Sequence, residues 1–243
     1  MRVAKNIFIW VFIIAYIAVT MSFVRKKRKE VVCNKINIVI VDSLRNKFVT
    51  KSDMIEFLRQ PELNVIGNPI ASINTKMLEQ QILSNQGVKN AEVFVTVQGD
   101  VRVEVTQRKP IVRIINKKGE SYYIDQEGAI MPLSGKYASH VLVANGNIVE
   151  HFEVSRTKDV LCDSTDNDLG KNKIICDLFQ LCKYIDDHDF WRAQIEQIYV
   201  NDQMEFEIIP RVGAHQIFFG DIHDYEKKFR NLEAFYRQGL NNV

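Results

Sequence analysis

The chain has 243 residues, of which 32 are basic and 30 acidic, and its formal net charge is +2 at pH 7. Seven of the basic residues and none of the acidic ones lie before Glu30, so residues 30–243 carry 25 basic and 30 acidic side chains. A folded part with this excess of acid is a poor nucleic-acid binder, because neutralising phosphates requires a basic face. Its length is sufficient for one large domain or two small ones.

The first predicted element is a hydrophobic helix from Ile7 to Val24, in which none of the 18 residues is charged. At a rise of 1.5 Å per residue it would span about 27 Å, close to the thickness of a bilayer's hydrocarbon core. A cleaved signal peptide is the alternative, but its apolar core would be shorter. The basic run from Arg25 to Lys29 suits contacts with lipid headgroups. We therefore expect a tail over residues 1–6, a transmembrane helix over 7–24 and a basic juxtamembrane linker over 25–35.

The next part of the chain predicts the order strand, helix, helix, strand, strand. Apolar residues alternate in the first strand, and Thr50 to Asp53 has the form of a capping box that starts a helix. Gly99 and Asp100 suit a two-residue hairpin turn between the last two strands. The predicted elements are a strand Lys35–Asp42, a helix after Thr50, a helix Asn74–Gln86, and strands Ala91–Val97 and Val101–Val105.

Pro110 marks a predicted domain boundary, because proline cannot donate a hydrogen bond into a central strand ladder. The short apolar runs after it are separated by glycine and proline, which is typical of an antiparallel meander. Amphipathic helices are predicted from Lys171 to Asp187 and from Asp224 to Gln238. The predicted strands are Ile111–Ile115, Tyr122–Ile124, Val141–Ala144, Ile195–Val200, Met204–Ile209 and Gln216–Phe219. The fold class is therefore α+β.

Motifs for catalysis or phosphate binding of the forms HExxH, GxSxG, Walker A and GxGxxG do not occur in the sequence. The run Asp186-Asp187-His188-Asp189 contains possible metal ligands, but its place at a helix end favours a solvated turn. His215, Asp221 and His223 form a second candidate group, for which surface or packed histidines are the simpler interpretation. We expect no catalytic residue, cofactor or metal, and a membrane-tethered hydrolase using His188 or His223 is the enzymatic alternative.

The four cysteines, Cys33, Cys162, Cys176 and Cys182, do not have the spacing of a zinc site. Cys176 and Cys182 are six residues apart in a predicted helix, so they lie on different faces. A disulfide between these two is therefore not expected.

Several runs resemble known bacterial cell-division proteins. FVTKSDMIEFL, LEQQILSNQGVKNAEVFV and VRVEVTQRKPIVRI, with Arg108 and Pro110 at the end of the motif, are similar to the POTRA domain of the FtsQ/DivIB family. SYYIDQEGAIMPLS, with Asp125 and Gly128, is similar to the opening of that family's β domain. FWRAQIEQIYVND and IIPRVGAHQIFFGD resemble its Bacteroidetes branch. The resemblance covers essentially the whole chain and implies a POTRA domain over residues 36–109 and a β domain over 110–243.

The resemblance implies a non-catalytic, single-pass scaffold of the divisome that links early and late septal proteins by binding the bitopic proteins FtsB and FtsL. In the family, the C-terminal edge of the β domain recruits FtsB by adding a strand. Family members continue into a further strand after the last helix, whereas this sequence ends at Val243, so we expect the edge to be the strand Gln216–Phe219. The predicted partner-binding residues are Gln216, Ile217, Phe218, Phe219, Tyr225 and Phe229.

Charge and resemblance disagree about orientation in the membrane. Five bases follow the apolar segment and only Arg2 and Lys5 precede it, so the positive-inside rule favours a cytoplasmic C-terminal part. The resemblance implies an inner-membrane protein with a cytoplasmic N-terminus and periplasmic domains at the septum, and we follow it because it extends over the whole folded part. An accessory protein of outer-membrane assembly or translocation is the other alternative, disfavoured because there is a single POTRA-like unit.

Overall fold

The computed structural model describes residues 10–21, 31–42, 47–96, 98–151, 173–213 and 215–238. The chain divides into two compact units, the first comprising Met1–Arg45 and Val49–Gln107, the second Asn46–Phe48 and Arg108–Val243. Residues 10–21 are helical, and the predicted transmembrane helix extends beyond them at both ends into residues outside the described ranges. In the described ranges, no helix has both the length and the apolar character needed to cross a bilayer.

The first unit is a three-stranded sheet with two helices, in the predicted order strand, helix, helix, strand, strand. Its elements are β1 (Ile36–Ile40), α1 (Lys51–Leu58), a 3₁₀ turn (Ile70–Ser72), α2 (Thr75–Leu83), β2 (Val88–Val95) and β3 (Val101–Gln107). The strand order is β1-β3-β2, with β1 parallel and β2 antiparallel to the central β3. This mixed arrangement confirms the α+β class for the unit.

Side-chain caps fix both helix starts of the first unit. The Thr50 hydroxyl accepts from the Asp53 amide at 3.2 Å, and the Asp53 carboxylate accepts from the Thr50 amide at 2.9 Å, which completes the predicted capping box. The Asn74 side-chain oxygen accepts from the Met77 amide at 3.0 Å. The second helix ends earlier than predicted, at Leu83, where the hydroxyl of the next residue donates to a carbonyl of the last turn.

The hairpin turn of the first unit differs from the prediction. The Thr96 amide donates to the Asp100 carbonyl at 2.8 Å, and the Gly99 amide donates to the Thr96 carbonyl at 3.0 Å. Strand β2 therefore ends at Val95 and β3 begins at Val101. Because residues 96–100 connect them, the prediction of a two-residue turn was wrong. Gly99 has φ +92°, the left-handed conformation that glycine adopts without strain.

The second unit is built on a seven-stranded sheet of order β10-β9-β8-β7-β4-β5-β6. Its elements are β4 (Pro110–Ile115), β5 (Ser121–Asp125), β6 (Ile130–Met131), β7 (Leu142–Gly146), α3 (Lys173–Asp187), α4 (Asp189–Gln194), β8 (Ile195–Val200), β9 (Phe206–Pro210), β10 (Ile217–Gly220) and α5 (Tyr225–Gln238). Strand β6 and helix α4 were not predicted from the sequence. Pro110 is the first residue of central strand β4, a position where a missing amide is tolerated.

The predicted antiparallel sheet was wrong, because the sheet of the second unit is mixed. Strand β7 pairs in parallel with both of its neighbours, β4 and β8. Parallel neighbours cannot be joined by a tight turn, and the connection from β7 to β8 is long enough to contain α3 and α4. Glycine and proline mark the ends of strands in sequence, but they do not tell a hairpin from such a crossover.

The core of the second unit lies between the sheet and its helices. Trp191 on α4 and the apolar stripe of α3 pack against the inner face of the strands. The buried stripe of α3 consists of Ile174, Ile175, Leu178, Leu181, Cys182 and Ile185. Gly146 permits the close approach of β7 to β8, since a Cβ there would lie 2.2 Å from the carbonyl oxygen of Val200.

A buried ion pair closes the start of the second unit. The Asp125 side chain is 2 % exposed, and its Oδ2 accepts from the Arg108 guanidinium at 2.7 Å. Its Oδ1 accepts from the amides of Glu127 and Ala129 at 2.9 and 2.8 Å. The Asp125 carboxylate thus accepts hydrogen bonds from two backbone amides of the turn after β5 and from the Arg108 guanidinium before β4.

We expect Asp125→Ala to lower the free energy of unfolding of the second unit by about 3 kcal/mol, because it leaves Arg108 and two turn amides without their acceptor. Urea unfolding followed by the fluorescence of buried Trp191, in a Trp10→Phe background, measures the change. Asp202→Ala, in the exposed turn between β8 and β9, is the control and should stay within about 0.5 kcal/mol. Equal unfolding midpoints for the two variants would contradict the role of the carboxylate.

Candidate partner-binding edge

Strand β10 is an end strand of the seven-stranded sheet. On one side it pairs antiparallel with β9, where Ile217 lies opposite Ile208 and Phe218 opposite Glu207. On its other side no strand of the described residues pairs with it. Backbone amides and carbonyls along such an edge can accept another strand.

The two faces of β10 differ in burial. Phe219 points into the core and is almost completely buried, whereas Phe218 is 78 % exposed on the opposite face. The register shifts after Phe218, and Gly220 has φ +79°, so a bulge ends the strand. Phe218 is therefore a large apolar side chain presented to solvent on an unpaired edge.

Helix α5 supports β10 from the inner face through Phe229, which is fully buried. The Phe229 ring lies 5.0 Å from the rings of Phe219 and Trp191 and 4.8 Å from that of Tyr184, between centroids. Contacts at these distances between tilted or offset rings are favourable beyond the area that they bury. The aromatic cluster links β10, α5, α4 and α3.

Polar contacts fasten both ends of β10 to α5. Before the strand, His215 Nε2 and the Tyr236 hydroxyl share a hydrogen bond of 2.8 Å. After the strand, Lys228 Nζ donates to the carbonyl and to the Oδ1 of Asp221, both at 2.9 Å. The hydrogen bond from Lys228 lowers the pKa of Asp221 below its ordinary value. Lys228 also lies over the Phe219 ring, 5.2 Å from its centroid.

The outer face beside β10 carries a row of side chains in register. Glu207 of β9 lies between Phe218 of β10 and Tyr199 of β8. The side-chain Nε2 of Gln216 donates to the Glu207 carboxylate. An added strand would thus find backbone groups at the edge, an exposed ring beside it and a carboxylate one strand away.

The predicted partner-binding residues fall into two groups. Gln216 and Phe218 are exposed, and Ile217 and Tyr225 are half-buried. Phe219 and Phe229 lie in the core, where their role is packing, so they present no surface to a partner. The sequence pattern could not separate these groups, because the predicted residues of β10 and of α5 that face each other are no more apolar than Phe218, which faces solvent.

Three residues of the site were not predicted. Tyr199 and Glu207 lie on neighbouring strands, and the alternation of each strand is a signal that they share a face. No sequence pattern could have identified Lys228 as a residue of the site. Its contacts are with the end of β10 and not with a residue of its own helix.

The acidic run at the end of α3 forms no site. The Asp186 carboxylate accepts from the Gln126 side chain at 2.9 Å, and Asp187 pairs with Lys183 at 3.7 Å. His188 Nδ1 lies 2.6 Å from the carbonyl oxygen of Tyr184 in the same helix. Asp189 pairs with an arginine of α4. These partners are those of a capped, solvated helix end.

The histidines near β10 do not converge either. His215 is engaged with Tyr236, whereas the His223 side chain is exposed and approaches Asp224 only at 3.8 Å. Over the part of the chain that the structure describes, no three His, Cys, Asp or Glu side chains are placed to hold a metal ion.

Two family models match the chain. One described as FtsQ/DivIB, C-terminal related, matches residues 109–243, and one described as a POTRA-like domain matches residues 31–106. The first match covers more than half of the chain and contains all seven strands of the second unit's sheet. No curated protein matches the chain.

Replacing Lys228 by methionine should raise the pKa of Asp221 towards its ordinary value, because the stem over Phe219 is kept while the donor is lost. In the wild-type chain the contact stabilises the fold above the ordinary pKa of aspartate and is lost as the pH falls through the lowered value. An NMR titration of the Asp221 carboxyl carbon measures this. Lys227→Met, at the neighbouring exposed position, is the control; the same titration curve for both variants would refute the contact.

Proposed function

Since the chain belongs to the FtsQ/DivIB family, as its sequence motifs predicted, we propose that it is a non-catalytic scaffold of the bacterial divisome. It binds FtsB- and FtsL-like bitopic proteins through the edge strand β10 and is anchored in the inner membrane by its N-terminal segment. The observation that carries the proposal is the edge of β10, which pairs with no strand of the described residues on its outer side, packs on α5 and is flanked by the exposed ring of Phe218.

Strand addition explains why this edge suits an extended peptide. Main-chain hydrogen bonds to β10 supply affinity, and alternate side chains of the peptide supply specificity. Phe218 offers a ring that loses its water when a partner side chain covers it, and aromatic residues dominate the binding energy at such positions. Because β10 is fixed at both ends, little conformational entropy is lost on binding.

A scaffold without catalytic activity agrees with the polar groups of the second unit. The side chains of the run Asp186 to Asp189 that could have formed an acid/base or metal site are engaged in ion pairs and hydrogen bonds. A hydrolase that acts through a side-chain nucleophile would need that nucleophile and a base within hydrogen-bond reach of each other. The family match is to division proteins of a generally structural kind.

The membrane anchor is supported by the exposed surface of the N-terminal helical segment. Within residues 10–21, large apolar side chains are exposed all round the helix: Trp10, Val11, Phe12, Ile14, Tyr16, Ile17, Val19 and Met21. A helix apolar on every side is stable only where other apolar groups surround it, as lipid does. The uncharged stretch continues to both sides, from Ile7 to Val24.

A disulfide supports the periplasmic orientation of the folded units. Cys176 is disulfide-bonded, whereas Cys33 and Cys182 are free and buried. The expectation that Cys176 and Cys182 do not pair is therefore confirmed, and Cys162, the remaining cysteine, lies outside the described residues. Disulfides persist in the periplasm and are rare in the cytosol. This favours the orientation of the family over that of the charge rule.

Binding of the partners should depend on the outer ring of β10. Phe218→Ser is expected to weaken the binding of FtsB- and FtsL-like extracytoplasmic segments by about tenfold to a hundredfold, the range for an aromatic anchor at an interface. Titration of the detergent-solubilised full chain with labelled segments measures the affinity. Phe94→Ser, an exposed strand phenylalanine of the first unit, is the matched control. Equal affinities of the two variants would exclude β10 as the binding edge.

The orientation can be measured in cells. Alkaline phosphatase fused after Val243 is expected to be active, and the unfused chain should show two maleimide-reactive thiols after denaturation and four after reduction. Both results follow if Cys176 lies in the oxidising periplasm. An inactive phosphatase together with four reactive thiols before reduction would place the domains in the cytoplasm. Cys182→Ser, which removes one free thiol, checks the count.

A further inference from the structure

Residues 31–33, which follow closely on the basic run, are already hydrogen-bonded within the first unit. The Cys33 amide donates to the Asn68 carbonyl at 2.9 Å, and the Gly67 amide donates to the Cys33 carbonyl at 2.8 Å. Val32 forms a β-bridge with Pro69. Residues 31–33 and 66–70 together are called the N-terminal ribbon below. Its pairing fixes the position at which the chain enters the unit.

Close packing holds the first residue of the ribbon as well. The Ile70 amide donates to the Val31 carbonyl at 3.0 Å. A Cβ at Gly99 would lie 2.8 Å from Val31 Cγ1, so the turn between β2 and β3 approaches the ribbon as only glycine allows. The chain is therefore part of the folded unit from Val31 onwards.

The tether between membrane and ribbon is short. The apolar segment ends at Val24, and only residues 25–30 separate it from Val31. Fully extended, this stretch reaches about 25 Å. A compact unit of this chain length is about 30 Å across. The unit therefore cannot carry the ribbon on the side furthest from the bilayer, and the ribbon stays within about 25 Å of the membrane surface.

The N-terminal ribbon exposes large aliphatic side chains and contains no carboxylate of its own. The Val32 residue is 41 % exposed and Ile66 is 51 % exposed. Residues 31–35 and 63–73 contain no Asp or Glu, and their one charged residue is Lys35. Lys35 is mostly exposed and pairs with Asp100, the nearest carboxylate, at 3.2 Å.

From these observations we propose that the N-terminal ribbon docks on the surface of the bilayer, with Val32, Ile66 and Pro69 in the headgroup layer. The inference rests on the proposed membrane anchor and adds a second, peripheral contact to it. Exposed aliphatic side chains gain free energy on leaving water for the interface. In sequence, the basic run from Arg25 to Lys29 comes shortly before the ribbon, and Lys35 follows its first segment. Basic side chains are attracted to anionic lipid within a Debye length.

The contact has a consequence for the division complex. A unit held by a helix alone swings through the full length of its tether, whereas a docked unit keeps one face on the membrane. In partners that also cross the membrane once, the extracytoplasmic segment begins at the same membrane surface. Docking would thus raise the local concentration of the first unit near their membrane-proximal segments.

Photo-crosslinking in vesicles tests the docking. The full chain, with p-benzoylphenylalanine at position 32 or 66, is reconstituted into vesicles of phosphatidylethanolamine and phosphatidylglycerol. Position 77 is the matched control, because Met77 is also apolar and exposed but lies on α2. After irradiation, mass spectrometry should find lipid adducts at positions 32 and 66 and only background at 77. An unchanged far-ultraviolet circular dichroism spectrum shows that each variant is folded.

The outcomes separate docking from anchoring. Chain that floats with the vesicles but gives no lipid adduct at 32 or 66 retains its anchor and overturns the docking. Adducts at all three positions, or crosslinks to a second copy of the chain in place of lipid, overturn it as well. Chain that fails to float overturns the membrane anchor and the docking with it.

Discussion

The buried ring of Phe229 decides where the edge strand of the second unit lies. It contacts Phe219 of β10, Trp191 of α4 and Tyr184 of α3 at once, so the strand and three helices share one packed cluster. Removing a ring of this size from a core leaves a cavity that costs about 3 to 5 kcal/mol. Because the inner side of β10 is committed to this cluster, the outward side and the backbone edge are what remains for a partner.

Two of the other end strands, β2 and β6, offer less of their edge to an added strand. In the first unit, the Val93 amide of end strand β2 donates to the carboxylate of Glu79 on α2 at 2.8 Å. The Glu79 side chain thus occupies a backbone amide to which an added strand would have to bind. In the second unit, β6 is only two residues long. Proteins commonly protect sheet edges by such means. Of the two end strands in the second unit's sheet, β10 is the longer, and it exposes the ring of Phe218, which is the reason for assigning partner binding to it.

Two features of the chain favour opposite orientations for the proposed membrane anchor. Five consecutive bases after the apolar segment favour a cytoplasmic location, whereas a disulfide at Cys176 favours the periplasm. A short basic tether followed by the N-terminal ribbon offers these bases a second role, as contacts with headgroups on whichever side the unit lies.

Local patterns in the sequence determined much of the fold. The capping box at Thr50, the N-cap at Asn74 and the helical periodicity of α3 depend on residues within a few positions of each other, and all three were predicted. The order of elements in the first unit followed from the same signals. Tertiary structure decided the parallel placement of β7, the burial of Phe219 and Phe229, and the contacts of Lys228. Those features depend on pairings between residues far apart in the chain, and neither periodicity nor turn residues carry information about which distant strand or helix a segment will meet.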